Sequence, residues 1–309
     1  MIVCSLFNPA IDVHYHVDTL QPGATFLDLP SHSVPSGKGL NVARVVKTLG
    51  EEVAIAALIP ENDVRRFKSF CQDQEIKPIL HEVPGSVRIN VTISEKQNDC
   101  VTHFNSTSGS VPVRLQEEFL LSLEQEIVGD TLWCFSGSLP TGFDSGVYSK
   151  LISAFQKKGS PSLLDTRGGA LKLGIRSKPF MVKPNISELE ELFGEQIKGV
   201  HHIALKGKRL IDMGIENVFI SLGSDGMIAI HENDCLLCSP PQVKAVDTVG
   251  CGDALVAGLL VAQKRKFSFS ETCRLAIACG ASKCMHEGPG VVTRDEVWQL
   301  MEDVRITAI

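Results

Sequence analysis

The chain has 309 residues, of which 43% are hydrophobic and 21% are charged, and its formal net charge at pH 7 is −6. This composition excludes a disordered or collagen-like chain and indicates a globular protein with a sizeable core. The negative charge argues against a nucleic-acid-binding surface, which needs clustered Lys and Arg. Composition marks no linker and no repeat, so we predict a single domain over residues 1–309.

The sequence shows no pattern typical of a targeting or membrane segment. The apolar start, residues 1–7, has no positive charge before it, and the first Lys or Arg is Lys38. The apolar run 254–262 covers nine residues, about half of what a membrane span requires. Ten cysteines are scattered through apolar segments, which favours reduced thiols over a disulfide framework. We therefore predict a cytoplasmic protein without a membrane partner.

Strand-length apolar runs alternate with helical patterns along the chain. The runs lie at 2–7, 53–58, 132–135, 163–164, 180–182 and 218–222. Between them, apolar residues recur at helical spacing over 40–49 and 147–155. The segment 252–280 is typical of buried helices. This alternation predicts an α/β fold with a mostly parallel sheet covered by helices.

Two stretches, about 12–34 and about 86–106, break the alternation. In the second, polar and apolar residues alternate over 88–94, and an apolar segment at 100–104 follows a polar turn. Both stretches predict antiparallel strands. A small sheet of this kind beside an α/β body would form a lid over a cleft.

The first polar motif, Ser-Gly-Lys-Gly-Leu-Asn at 36–41, opens a predicted helix. Glycines, a cation and an amide at a helix N-terminus suit a polar or anionic ligand. A capped helix with a solvated Lys38 is the alternative interpretation. A phosphate-binding Walker loop is excluded, because His32 and Gly39 stand where that motif needs Gly and Ser or Thr.

The segment 183–188, Lys-Pro-Asn-Ile-Ser-Glu, follows an apolar run and begins another predicted helix. Asn185 and Glu188 stand three residues apart on one helix face. Two such oxygen ligands suit a hydrated Mg²⁺, which uses few protein groups. The alternative is a capping box, in which the two residues satisfy each other's backbone amides.

Two further motifs follow in the chain. The segment 221–226, Ser-Leu-Gly-Ser-Asp-Gly, could lie against a flat ligand or form a hairpin turn. Cys235 and Cys238 form a single CxxC pair, for which a half-buried strand is a better interpretation than a zinc site.

The sharpest signal is Asp-Thr-Val-Gly-Cys-Gly-Asp at 247–253, which runs directly into an apolar helix. Gly250 and Gly252 would let backbone amides approach a phosphate, and Asp253 could accept a proton from an attacking hydroxyl. A dinucleotide-binding GxGxxG is disfavoured because Leu255 occupies its last position. An ordinary glycine turn before a helix is the alternative.

Taken in order, these motifs resemble those of the ribokinase-like carbohydrate kinases of the phosphofructokinase B type. The resemblance covers nearly the whole chain and rests on the segments 8–12, 36–41, 136–140, 183–188, 221–223 and 247–253. Such kinases have a three-layer α/β/α fold with a small β-sheet lid, and they phosphorylate sugar hydroxyls with ATP and Mg²⁺. The resemblance thus implies an ATP-dependent carbohydrate kinase.

The resemblance also implies a role for individual residues. Asp253 would be the catalytic base, and the amides of Gly250, Cys251 and Gly252 would hold the transferring phosphoryl group. The implied sugar contacts are Asp12, Gly37, Lys38, Asn41, Arg88, Asn90 and Ser138. The implied nucleotide contacts are Lys183, Asn185, Ser221, Gly223, Gly226 and Thr248. Glu188, together with Asn185, is assigned to Mg²⁺, with Glu188 acting largely through water.

The substrate is indicated by the lid. Asn-Pro-Ala-Ile-Asp at 8–12 and Arg88 beside Asn90 resemble the members that act on phosphorylated ketohexoses, since a guanidinium can bind a phosphate through two hydrogen bonds. The pattern at 88–91 and 102–105 most resembles kinases that convert fructose 1-phosphate to fructose 1,6-bisphosphate. Kinases of tagatose 6-phosphate and of fructose 6-phosphate are alternatives.

Several departures from the family pattern keep other hypotheses open. Ser36 replaces a glycine, and residues 22–29 carry no basic residue, which leaves an unphosphorylated sugar or a nucleoside as an alternative substrate. A non-catalytic sensor of sugar phosphates is a third hypothesis, which the intact Asp253 disfavours. Cys251 at a helix N-terminus predicts a lowered thiol pKa and oxidation-sensitive activity.

The apolar strands of the lid bear on assembly. An isolated β-ribbon exposes its edges and one face, which can pair with a second copy. We therefore predict a homodimer formed through the lid.

Overall fold

The computed structural model describes residues 1–98, 100–126 and 131–309, and its elements alternate between strands and helices. In chain order the strands are β1 (Ile2–Leu6), β2 (Ala10–Val17), β3 (Ser31–Ser36), β4 (Val53–Pro60), β5 (Lys77–Val83), β6 (Arg88–Glu95), β7 (Cys100–Asn105), β8 (Leu132–Ser136), β9 (Ser162–Asp165), β10 (Met181–Val182), β11 (Asn217–Ser221), β12 (Met227–His231), β13 (Asp234–Ser239) and β14 (Arg305–Ala308). The helices are α1 (Lys38–Thr48), α2 (Val64–Asp73), α3 (Val113–Glu126), α4 (Val147–Gln156), α5 (Gly168–Arg176), α6 (Ile186–Phe193), α7 (Val200–Asp212), α8 (Cys251–Lys264), α9 (Phe269–Cys284) and α10 (Arg294–Asp303).

Ten of the described strands form one sheet, in the order β14-β13-β12-β11-β10-β9-β8-β1-β4-β5. The pairs from β11 to β5 are all parallel, and β12, β13 and β14 extend the sheet in antiparallel fashion. At its centre, Ile2 pairs with Val53 on one side and with Leu132 on the other. Parallel strands with both faces covered need continuous apolar sequence, which explains the runs seen in the sequence.

Helices cover both faces of this sheet. One hydrophobic cluster holds residues of α1, α2, α8, α9 and α10, and the other holds residues of α3 to α7. Helix α8 is buried from residue 253 to residue 262, which explains why its sequence is apolar on every side. The predicted α/β fold with a mostly parallel sheet and a second, smaller sheet is confirmed.

The smaller sheet has the order β3-β2-β6-β7 and is built from segments far apart in sequence. The pairs β2–β3 and β6–β7 are antiparallel, as predicted, but the central pair β2–β6 is parallel, with Asp12 opposite Asn90. The expectation of antiparallel strands throughout is therefore wrong. Strands β2 and β6 follow β1 and β5, which end at the same edge of the large sheet, so both run outward in the same direction.

The bounds of the small sheet differ from the predicted stretches. Strand β2 begins at Ala10, β3 ends at Ser36, and residues 18–30 belong to neither strand. Within the described ranges, none of the helices combines the length and the apolar character that crossing a bilayer demands.

Candidate active site

The candidate site lies where the parallel strands of the large sheet end. Asp165 is the last residue of β9, Ser221 is the last residue of β11, and Lys183 directly follows β10. The N-termini of α1 and α8 meet here, because Asn41 of α1 contacts Asp253 of α8. In α/β sheets, ligands bind in the crevice outside the carboxyl ends of the strands.

Asp253 is a buried carboxylate in the first turn of α8, with 6% of its surface exposed. Its Oδ2 accepts a hydrogen bond of 2.8 Å from Asn41 Nδ2. Burial raises the pKa of Asp253 to about 6; Lys38 opposes this shift and Asp165 adds to it. A carboxylate that ionises near neutral pH can take a proton from a hydroxyl group and release it again.

Asp165, a residue that the sequence analysis did not single out, holds two lysines beside Asp253. Its Oδ2 lies 2.9 Å from Lys38 Nζ, and its Oδ1 lies 3.1 Å from Lys183 Nζ. Burial disfavours the charge of Asp165, but the two ammonium groups outweigh it and lower the pKa. The same two ammonium groups also act on the charge of Asp253, so two cations stand beside two carboxylates here. Ammonium groups in this position suit a phosphate group.

The turn ahead of α8, which the sequence analysis predicts to be an anion-binding turn, depends on Gly250, whose φ of +84° lies in the left-handed region. Helix α8 has no side-chain cap, and helix geometry leaves first-turn amides without intrahelical acceptors. The Cys251 amide donates to the Thr248 carbonyl at 3.3 Å. The amides of Gly252 and Asp253 therefore present the positive end of the helix. A Cβ on Gly252 would lie 3.9 Å from Lys183 Nζ, so that ammonium group faces the same turn.

The thiol of Cys251 does not have the lowered pKa that its place at a helix N-terminus predicts. Burial raises the pKa to about 12; Lys283 opposes the shift, whereas Cys284 and Asp247 add to it. The expectation is wrong because desolvation of the thiolate outweighs the helix dipole. The thiol is protonated at neutral pH, which makes it a slow target for oxidants.

The small sheet contributes a hydrogen-bonded row to the sugar side of the site. Asn90 Nδ2 donates to Asp12 Oδ1 at 2.8 Å, and Arg88 Nη1 donates to Asn90 Oδ1 at 3.4 Å. Arg88 Nη2 reaches the main-chain oxygen of Asn8 at 3.4 Å, and Asn8 Nδ2 donates to Ser138 Oγ at 3.0 Å. The structure thus brings Asp12, Arg88, Asn90 and Ser138 together.

Arg88 has a second arginine near it. Its Nε is buried and has no hydrogen-bond partner among the described residues. Burial lowers the pKa of Arg88; Asp12 opposes this shift, and the charge of Arg167 adds to it. Arg167, the N-cap residue of α5, was not found from the sequence. In the sequence, the only indication of Arg167 is that it lies two residues after Asp165, which directly follows an apolar run.

The predicted start of α1 lies between the two sheets. Gly37 is its N-cap residue, Lys38 is its first residue, and Ser36 Oγ donates to Asn41 Oδ1 at 3.4 Å. Lys38 keeps 38% of its side chain exposed even though Asp165 binds it. Part of this side chain is therefore accessible to a ligand.

On the predicted nucleotide side, Asn185 and Glu188 form a capping box at the start of α6. Asn185 Oδ1 accepts from the Glu188 amide at 2.8 Å, and Glu188 Oε2 accepts from the Asn185 amide at 2.9 Å. This is the alternative interpretation of the motif. The single side-chain oxygen of Asn185 and one of the two oxygens of Glu188 are already engaged in it. Ser221 forms a bridge with Asn185, and Thr248 is exposed.

The segment 221–226 forms the connection between β11 and β12, as its alternative interpretation predicts. The amide of Leu222 donates to the carbonyl of Gly226 at 2.8 Å. A Cβ on Gly226 would lie 2.0 Å from the carbonyl oxygen of Cys238, so only glycine fits there. Gly223 is exposed at the turn.

The carboxylates near the nucleotide side suit a hydrated cation. Within the ranges that the structure describes, no cluster of three or more His, Cys, Asp or Glu side chains could hold a metal ion. Glu188 and Glu191 line one pocket with Gly168 and Lys172. Glu188 also raises the pKa of Lys38, which places it within electrostatic reach of the site. Few protein oxygens are needed by Mg²⁺, which keeps most of its waters.

Comparison with known proteins identifies the family. The pattern of the pfkB family of carbohydrate kinases matches residues 30–295. The chain belongs to this family, and it is therefore a sugar kinase.

Individual relatives agree with this membership. The 1-phosphofructokinase of Haemophilus influenzae is 30% identical over 309 residues, which cover 100% of this chain and 98% of the relative. The 1-phosphofructokinase of Bacillus subtilis is 30% identical over 313 residues, which cover 100% of both chains. A solved structure of phosphofructokinase-2 from Escherichia coli in complex with potassium has a TM-score of 0.91 at 23% identity, with 98% of each chain covered. That structural likeness shows the shared fold.

Proposed function

We propose that the protein transfers the γ-phosphoryl group of ATP to a hydroxyl of fructose 1-phosphate, which becomes fructose 1,6-bisphosphate. The observation that carries the proposal is Asp253, a buried carboxylate that Asn41 holds in the first turn of α8 and whose pKa is about 6. A base and a set of anion-binding amides thus stand on one helical turn. Phosphoryl transfer depends mainly on such positioning and charge stabilisation.

In the proposed reaction, the sugar hydroxyl gives its proton to Asp253 while its oxygen forms a bond to the γ-phosphorus. The bond between that phosphorus and the bridging oxygen of ATP breaks, and the electron pair leaves with ADP. The charge on the transferring group faces the first-turn amides of α8 and the ammonium group of Lys183 beside Gly252. Mg²⁺ bound with ATP would neutralise the β- and γ-phosphates, and Glu188 would hold it through water.

The phosphate of the substrate would be bound by Arg88. Its buried Nε without a partner is a donor that a phosphate oxygen could satisfy. The charge of Arg167 acts on Arg88, and a phosphate dianion would relieve the repulsion between the two guanidinium groups. The 30% identity to enzymes named 1-phosphofructokinase supports fructose 1-phosphate over fructose 6-phosphate or tagatose 6-phosphate.

The test is ADP release from MgATP with fructose 1-phosphate, fructose 6-phosphate, tagatose 6-phosphate, fructose, ribose and adenosine. We expect the highest kcat/KM with fructose 1-phosphate. Activity confined to an unphosphorylated sugar or a nucleoside would contradict the proposed substrate. No ADP release with any of the six compounds would favour a sugar-phosphate sensor.

Two variants separate phosphate recognition from chemistry. We expect Arg88→Ala and Arg167→Ala to raise the KM for fructose 1-phosphate about 10- to 100-fold, because each removes a charge-assisted contact. Arg114→Ala is the matched control, since Arg114 forms only a surface pair with Glu118. If Arg88→Ala and Arg167→Ala had the same KM for fructose 1-phosphate as the control, the proposed role of the two arginines would be contradicted.

We also propose that two copies associate through the small sheet. Phe104 on β7 and Ile89 on β6 have 55% and 49% of their surfaces exposed. We expect light scattering to give twice the mass of one chain, and Phe104→Glu to reduce it to that of one chain. Leu121→Glu, which changes an exposed residue of α3, is the control. A wild-type mass of one chain would contradict the proposal.

A further inference from the structure

Lys283 is a buried charge that the proposed reaction does not use. It is the second-to-last residue of α9, and its side chain has 0% exposure. Removing an ammonium group from water costs several kcal/mol unless oxygen atoms replace the lost hydration. A charge kept in the core at this cost points to a role beyond packing.

Three oxygen atoms surround this ammonium group. Lys283 Nζ donates to the main-chain oxygens of Asp247 and His286, both at 2.9 Å, and lies 3.2 Å from Asp247 Oδ2. An ammonium group has three donors and no acceptor, so every donor is used. Two of the three acceptors are main-chain oxygens, and the group therefore fixes the course of the backbone as well as one side chain.

These contacts fasten the segment that leads into α8. The Asp247 carboxylate also accepts from the amide of Val249 at 2.9 Å and from the amide of Gly288 at 3.0 Å. Val249 directly precedes Gly250, where the left-handed turn begins. A continuous set of hydrogen bonds therefore runs from Lys283 through Asp247 to the anion-binding turn.

The loop 286–292 contacts the same turn and the residue that holds the base. A Cβ on Gly250 would lie 3.4 Å from Pro289 Cα. A Cβ on Gly290 would lie 2.9 Å from the main-chain oxygen of Asn41, whose side chain holds Asp253. Lys283 joins this loop to Asp247, together with the hydrogen bond from the Gly288 amide, and it therefore lies between the turn before α8 and the loop that contacts Asn41.

We propose that Lys283 is a positioning residue: its ammonium group joins Asp247 to the loop 286–292 and holds the amides after Gly250 in the geometry of the transferring phosphoryl group. The inference rests on the proposed role of those amides. It requires a loss of kcat with little change in substrate binding, because Lys38, Arg88 and Asn90 are held by other partners.

The first test is Lys283→Met, which removes the charge and keeps an unbranched side chain. We expect kcat to fall about 10- to 100-fold, while the KM values for sugar phosphate and MgATP change by less than about threefold. A folded variant whose kcat stays within about threefold of wild type would overturn the proposal.

The second test is Lys283→Ala, which leaves space for a free ammonium ion. We expect ammonium chloride to raise kcat at least about fivefold relative to tetramethylammonium chloride at equal ionic strength, with no gain in the wild type. The folded fraction in each salt is measured by circular dichroism, so that kcat refers to folded molecules. If Lys283→Met does not fold, this variant decides, and the absence of an ammonium-dependent gain would overturn the proposal.

Lys206→Met is the matched control for a purely structural effect. Lys206 of α7 is also a buried lysine, and its ammonium group pairs with Glu195 rather than with Asp247 or the loop 286–292. We expect it to lower the melting temperature without lowering kcat. All variants are assayed with whichever sugar the wild type phosphorylates, so a different substrate changes the proposed function but not this comparison. A wild type inactive with every sugar would refute both.

Discussion

Helices α6 and α8 differ in how their N-termini are completed. At α6, Asn185 and Glu188 satisfy each other's backbone amides, so the helix end is filled by its own side chains. At α8, Gly250 supplies no side-chain cap, and the amides of Gly252 and Asp253 are left without one. The same backbone geometry therefore gives a capped helix start in one place and the proposed anion-binding site in the other, and the difference is decided by a few residues.

The largest effect is expected for Asp253→Asn, which leaves the N-terminus of α8 without a side-chain cap but removes the proposed base. We expect kcat to fall about 10²- to 10⁴-fold. Because burial raises the pKa of Asp253, its ionised form destabilises the folded protein as pH rises through about 6. The variant should therefore melt at the same or a higher temperature than wild type at pH 7 to 8. A kcat within about tenfold of wild type would exclude Asp253 as the base.

The pH dependence tests the same carboxylate without a substitution. A general base acts when deprotonated, so kcat/KM should rise about tenfold per pH unit below about 6 and level off above it. The profile is measured with saturating MgATP between pH 5 and 8. A midpoint near the ordinary carboxylate value of about 4 would contradict the effect of burial.

Gly250→Ala strains the turn that precedes α8 and tests whether its geometry matters for kcat. A side chain at φ +84° costs about 1–2 kcal/mol, and the shifted amides should lower kcat about tenfold or more. Gly194→Ala is the control, because Gly194 follows α6 with φ +70° and no atom lies within 4 Å of its added Cβ. Both variants should lose similar stability in urea unfolding. Equal kcat values would show that the turn before α8 tolerates displacement.

Asn185→Ala opens the filled helix end and has the smallest expected effect. Losing the cap should cost about 1 kcal/mol of unfolding free energy. Ser268→Ala is the control, because it breaks the equivalent capping box of α9. If Asn185 also binds the nucleotide, only Asn185→Ala should raise the KM for MgATP, by about three- to tenfold. Equal KM values would limit Asn185 to its structural role.

The parts of the fold that local sequence determines were predictable. The strands β4 and β8 are continuous apolar runs because both faces of the sheet are covered, and the start of α8 is marked by Gly250 and Gly252. The pairing direction of β2 and β6 was not predictable from alternation, since it depends on where β1 and β5 end.

The residues missed at the site have partners that lie far away in sequence. Asp165 binds Lys38 across 127 positions, and Lys283 binds Asp247 across 36. Neither lies in a recognisable local motif. The pKa of Cys251 was mispredicted for a related reason, because Cys284, whose side chain adds to the rise of that pKa, comes from another helix.

The parallel pairing of β2 with β6 has a consequence for how the active site matures during folding. Asp12 and Asn90 meet across 78 positions, and the chain between them contains α1, β4, α2 and β5. Loop closure over such a distance is entropically costly and slow. The Asn41–Asp253 contact spans 212 positions, so the complete site should form late in refolding. The regain of kinase activity should therefore lag behind the regain of secondary structure.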